Sequence, residues 1–157
     1  MSPSSGVQTF RSDRLRDLRT RKGLSCEQLA ILAGISPETA RRAEQKSRRP
    51  SGRVVAALAR ALDVSVDELA PVKGPLTLKQ VRQRKGLTQR AVAEAAEVST
   101  QMVSRVEGGH YGVRDRPRWA AAYQVTEDEW NQAWSHGRDV RRTEIQQQKK
   151  KRARTQQ

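Results

Sequence analysis

The pentapeptide Arg21-Lys22-Gly23-Leu24-Ser25 returns 63 residues later as Arg84-Lys85-Gly86-Leu87-Thr88. At the same offset Leu29-Ala30 matches Val92-Ala93, Ile35-Ser36 matches Val98-Ser99, and Glu44 matches Glu107. A two-residue contraction then aligns Ala61-Leu62-Asp63-Val64-Ser65 with Ala122-Tyr123-Gln124-Val125-Thr126. The chain therefore reads as two copies of one unit of about 60 residues. Between them Pro71-Val72-Lys73-Gly74-Pro75 stops any preceding helix. The expected organisation is a disordered N-terminus over 1–9, a first domain over 10–71, a linker at 72–75, a second domain over 76–134 and a basic tail over 135–157.

Each copy reads as five short helices. In the first, Leu15 and Leu18 lie at helical spacing with the stem of Arg19, and Gly23 closes that helix. Ser25 with Gln28 forms a capping box for a second helix, which buries Leu29, Ala30 and either Leu32 or Ala33 before stopping at Gly34. Pro37 suits the first position of a third helix running to about Lys46. A fourth spans Val54 to Leu62, and Ser65-Val66-Asp67-Glu68 would cap a short fifth. Thr126-Glu127-Asp128-Glu129 is the equivalent last cap in the second copy. With no alternating stretch long enough for a strand, the fold class is all-α.

Composition narrows the partner. The 157 residues carry 31 Lys+Arg against 17 Asp+Glu, a net charge of +14 that points to a polyanion, nucleic acid before membrane. The charge divides into +5 over residues 10–71, +3 over 72–134 and +6 over 135–157. The last stretch has only Val140, Ile145 and Ala153 as apolar residues, too few for a core. It reads as a solvated basic tail, able to become helical once its charges are neutralised, that contacts phosphate or merely aids solubility. No apolar run approaches a membrane span, and Met1-Ser-Pro-Ser-Ser-Gly6 lacks the regions of a signal peptide, so a cytoplasmic, nucleoid-associated protein is expected.

Both copies resemble the helix-turn-helix domain of the Xre or Cro/repressor family, over roughly residues 10–71 and 75–134. The resemblance is carried by Arg16 to Ser25 and Ala33-Gly34-Ile35-Ser36, and by Gly86-Leu87-Thr88-Gln89 together with Val98 to Gly109. It implies double-stranded DNA binding with the third helix of each unit in the major groove, which is about wide enough for one α-helix. In the second copy the resemblance places base reading on Thr100, Gln101 and Arg105, with phosphate contact or support from Gln89, Ser99 and Ser104. Gln pairs bidentately with adenine and Arg with guanine, so the residue types suit the task. Val103 and Val106 should be core.

In the first copy the reading positions are Pro37, Glu38 and Arg42, and Cys26 stands where Gln is expected. Proline donates nothing there, and Glu38 either accepts from cytosine or pairs with Arg41 or Arg42. That copy is therefore expected to touch mainly phosphate, through Arg41, Arg42, Lys46, Arg48 and Arg49. Tail contacts would come from Arg138, Arg141, Arg142, Lys149, Lys150, Lys151 and Arg152. In the second copy Glu97 replaces the turn glycine, a cost of roughly 1 kcal/mol if its backbone is left-handed.

Five of the six aromatics, Tyr111, Trp119, Tyr123, Trp130 and Trp134, fall within 24 residues. They either refill the second core or, at Trp130 and Trp134, extend into a dimer or partner contact. Cys26 is alone, which excludes an intrachain disulfide, and reads as a buried thiol or an oxidant sensor. His110 and His136 have no partners at metal-ligand spacing, so neither a metal, a cofactor nor an enzyme is expected.

Two functions fit these readings. One is a transcriptional regulator of a bacterium, phage or plasmid, more readily a repressor, acting as a monomer on an asymmetric site or as a homodimer on a palindrome. The other is an architectural, nucleoid or antitoxin-like interaction protein with weak sequence preference, using the first domain as a protein surface. RNA binding rests on the tail alone.

Overall fold

The computed structural model describes residues 6–156. Among them the chain forms ten α-helices: α1 (Ser12–Arg21), α2 (Cys26–Ala33), α3 (Pro37–Ala43), α4 (Gly52–Ala61), α5 (Val66–Leu69), α6 (Leu78–Arg84), α7 (Gln89–Ala96), α8 (Thr100–Glu107), α9 (Arg116–Ala122) and α10 (Glu127–Thr155). Five begin in each sequence copy and no strand is present among the described residues, so the fold is all-α and repeats one five-helix plan. No helix among these residues is long and apolar enough to cross a membrane.

Contacts divide the described chain into two compact units. The first holds residues 6–74 with 82–88, and the second holds 75–81 with 89–156. The first therefore takes in the end of α6, where Arg84 donates to the Ala70 carbonyl at 3.1 Å and pairs with Asp67.

Local chemistry sets the helix ends in the first unit. Ser25 accepts from the Gln28 amide while Gln28 accepts from the Ser25 amide, so both bonds of the capping box start α2. Gly34 ends α2 at φ +68, a left-handed conformation that glycine adopts without a Cβ penalty. Ser36 caps α3, where Pro37 costs nothing because its missing N–H would have had no helical partner. Helix α3 stops at Ala43, a turn short of Lys46, and α4 starts two residues earlier than the apolar pattern, capped by Ser51. At α5, Ser65 makes no side-chain capping bond, so this one of the three expected boxes is incomplete.

Leu15, Leu29, Val55, Leu58, Leu62 and Leu69 meet in the first core. Shortening one of these leucines to alanine would cost about 2–5 kcal/mol. In α2 it is Ala33 that packs partly inward, while Ile31 and Leu32 are exposed. The N-terminal segment departs from the expected disorder over its described part. Val7 and Phe10 are buried, and the Val7 amide donates to the Pro50 carbonyl at 2.9 Å, because two apolar side chains have a core to join. Residues 1–5 of that segment lie outside the described residues.

The second core is smaller in its aliphatics and is filled by rings. Trp119, Tyr123 and Trp130 are buried among Val92, Ala96, Val103, Val106 and Ala133. Trp130 is fully buried, which removes it from any partner surface. The expected short last helix and solvated tail are instead one helix of 29 residues, α10, begun by the full Thr126/Glu129 capping box. Its length is roughly 43 Å at the standard rise. Beyond Gly137 no glycine or proline interrupts it, and Gln, Lys, Arg and Ala are good helix formers. From residue 146 onward every described side chain is exposed, so those turns rest on propensity and on continuity with the packed turns around Trp130.

Candidate nucleic-acid interface

In the second unit α7 and α8 form the helix-turn-helix pair. The turn is made by Glu97 at φ +58, and the Val98 amide returns to the Ala93 carbonyl at 3.0 Å. The first unit makes the same turn with glycine, its Ile35 amide returning to Ala30 at 3.0 Å. Ser99 caps α8 by accepting from the Met102 amide at 3.1 Å. Its hydroxyl is thus committed to the helix start, where it orients the N-terminal turn.

Val103 and Val106 anchor α8, at 0% and 1% exposure. With those two turned inward, Thr100, Gln101, Ser104 and Arg105 form one exposed stripe at helical spacing. Four of the six second-copy site residues therefore stand together on one free helix face. Gln89 is half-buried and donates through Nε2 to Glu107 Oε2 at 3.2 Å, tying the start of α7 to the end of α8. Glu107 also accepts from the Tyr123 hydroxyl at 2.9 Å. Gln89 thus sits where a brace between the two helices is needed.

Arg105 does not hang loose. Its Nη1 donates to Tyr111 Oη at 2.8 Å, and its guanidinium lies 5.5 Å from the centre of the Tyr111 ring. Tyr111 is nearly half exposed, and no local sequence signal marks this role because the two residues are brought together only by the turn at Gly108-Gly109. Trp134 is likewise half out of the core. It stacks on Trp130 at 6.2 Å, and the guanidinium groups of Arg116 and Arg138 lie 5.4 and 5.0 Å from its ring.

The first unit presents a different face. Ala40 and Ala43 anchor α3, leaving Pro37, Glu38, Arg41 and Arg42 exposed. Arg42 is paired with Glu38 at 2.8 Å and Arg41 with Glu27 at 3.3 Å. The Lys46 and Arg48 side chains are exposed and make no hydrogen bond or ion pair among the described residues. Arg49 donates to the Gln8 carbonyl, which commits part of its guanidinium to the N-terminal segment.

Cys26 lies near Glu44, whose carboxylate pairs with Arg19. Burial first, and then the Glu44 charge, push the thiol up. This environment opposes thiolate formation, so the oxidant-sensor reading loses its physical basis.

On α10, Arg141 and Arg142 are near Glu144 and Asp139 at 3.7 and 4.0 Å. Lys149, Lys150, Lys151 and Arg152 are exposed, and no ion pair engages them among the described residues. The described residues contain no cluster of three or more metal-ligating side chains.

Comparison with known proteins agrees with this geometry. A family profile described as a helix-turn-helix domain matches residues 12–72 and, a second time, residues 76–132. No curated protein and no solved structure matches the chain.

Proposed function

This chain belongs to the helix-turn-helix domain family, and from that premise we propose that it is a sequence-specific, double-stranded DNA-binding transcriptional regulator that acts as a repressor. It works by binding rather than by catalysis, in the cytoplasm and on the nucleoid. The observation that carries this reading is the exposed stripe of Thr100, Gln101, Ser104 and Arg105 over the buried pair Val103 and Val106. An α-helix fits the major groove, and Gln and Arg are the side chains that make bidentate contacts to adenine and guanine there. Helix α8 is the reader. The first unit contributes chiefly phosphate contacts through Lys46 and Arg48 in the loop after α3, because Glu38 neutralises Arg42. The basic end of α10 adds affinity for any duplex.

A second reading is favoured by that same end of α10, whose five cations from Lys149 to Arg154 have no acidic neighbour after Glu144. Under it, the protein coats DNA with weak preference.

Sequencing of genomic fragments retained by the full chain separates the two. A regulator retains a small set of fragments that share a motif. Even coverage of the genome would contradict the first reading.

A further inference from the structure

Tyr111 joins the reading face to the core. Its hydroxyl and ring hold Arg105, as described, and its carbonyl accepts from Trp134 Nε1 at 3.1 Å. Trp134 in turn lies nearly parallel to the fully buried Trp130, at an interplanar angle of 10°. Gly109, at φ +75, turns the chain so that residue 111 comes back over residue 105. A continuous set of contacts therefore runs from the centre of the second unit to a guanidinium on the exposed stripe of α8.

We propose that Tyr111 is a positioning residue for base recognition, holding the Arg105 guanidinium in the orientation it uses against guanine; this rests on the reading that Arg105 contacts a base. A guanidinium carries five N–H donors, and Tyr111 takes one of them, from Nη1. The edge formed by Nε and Nη2 keeps the two parallel donors that guanine O6 and N7 require. A phenol is also a neutral acceptor, so the cation keeps its full charge toward the DNA.

The first copy shows the contrast. Arg42 occupies the position of Arg105, but its holder is the Glu38 carboxylate, which cancels the charge. At the first-copy position equivalent to Tyr111 stands Arg48, which has no ring. A long, flexible side chain fixed before binding loses less rotamer freedom in the complex, so the hold improves affinity only where the geometry matches.

The test is selection from a randomised duplex library with the full chain and with Tyr111→Phe, Tyr111→Ala and Arg105→Ala, alongside affinity for an unrelated duplex and thermal unfolding of each. Arg105→Ala should erase the preference at one base pair. Tyr111→Phe keeps the ring and loses the hydroxyl. It should reduce the guanine preference at that same pair about three- to tenfold, with unrelated-duplex binding unchanged within about twofold. Tyr111→Ala should reduce the preference further; if it fails to fold, Tyr111→Phe decides. A pair blurred by Arg105→Ala but left sharp by Tyr111→Phe overturns the positioning role and leaves base reading intact. No blurring by Arg105→Ala overturns base reading and this inference with it.

Discussion

Arg42 donates from Nη2 to Glu38 Oε1 at 2.8 Å, one turn apart on the exposed face of α3. Both side chains are more than half exposed, so the pair adds little to stability, at most about 1 kcal/mol. Its effect on DNA should be larger, because it sets a carboxylate near phosphates and occupies a cation. Glu38→Gln should raise duplex affinity about two- to fivefold at low salt and steepen the log–log salt dependence by up to about one. Fluorescence anisotropy titrations across salt concentrations measure both quantities, and an unchanged or weakened affinity would count against a DNA-facing α3.

The end of α10 offers a clean truncation. Arg138 lies over Trp134, and the Arg141 Cβ lies near Gly109, so cutting at residue 138 would strip packing from the second unit. Removing residues 146–157 takes away five cations and no described packing contact. Affinity should fall for all duplexes alike, and the salt slope should shrink by about 2 to 4. A full-strength slope in the truncated chain would place these turns off the DNA.

The turn of the second copy carries strain that the first avoids. Glu97 holds φ +58, and its ion pair with Arg118 at 3.4 Å is too exposed to offset much of that. Glu97→Gly should stabilise the chain by about 0.5–1 kcal/mol. Gly34→Ala should destabilise it by a similar amount, through backbone strain alone, because no atom lies within 4 Å of the added Cβ. Denaturant unfolding of both variants checks the opposite signs.

How much of this was legible in the sequence depended on the kind of signal. The repeat and the turn residues are local, so the helices of both units could be placed from Gly34, Ser25, Ser99 and Thr126. The inward place of Val103 and Val106, and with it the exposed stripe, is what the family resemblance implies for that helix. What stayed hidden came from tertiary partners. Nothing local says that Val7 finds a core, that Ser65 leaves its cap unmade, or that Tyr111 returns to Arg105. The length of α10 is not legible locally, because its few apolar residues argue against a packed helix, whereas this one is extended by propensity from a packed start.

Cys26 gives a pH-dependent prediction. Its thiol is raised by burial and by Glu44, so the folded state holds that proton more tightly than the unfolded chain. The thiol therefore has no effect on stability at neutral pH. Above about pH 8.5 the unfolded chain ionises first, and stability of the first unit should decline. Iodoacetamide should label folded Cys26 several-fold more slowly than the unfolded chain at neutral pH. Faster labelling in the folded protein would refute this account of its surroundings.

The central claim is that α8 reads bases. Its most direct measurement is the affinity of the full chain, and of Gln101→Ala and Arg105→Ala, for the retained motif and for duplexes altered one base pair at a time. Each variant should lose about 1–3 kcal/mol of discrimination at its own base pair and keep it elsewhere. If both variants discriminate every position as the parent does, α8 does not read the sequence.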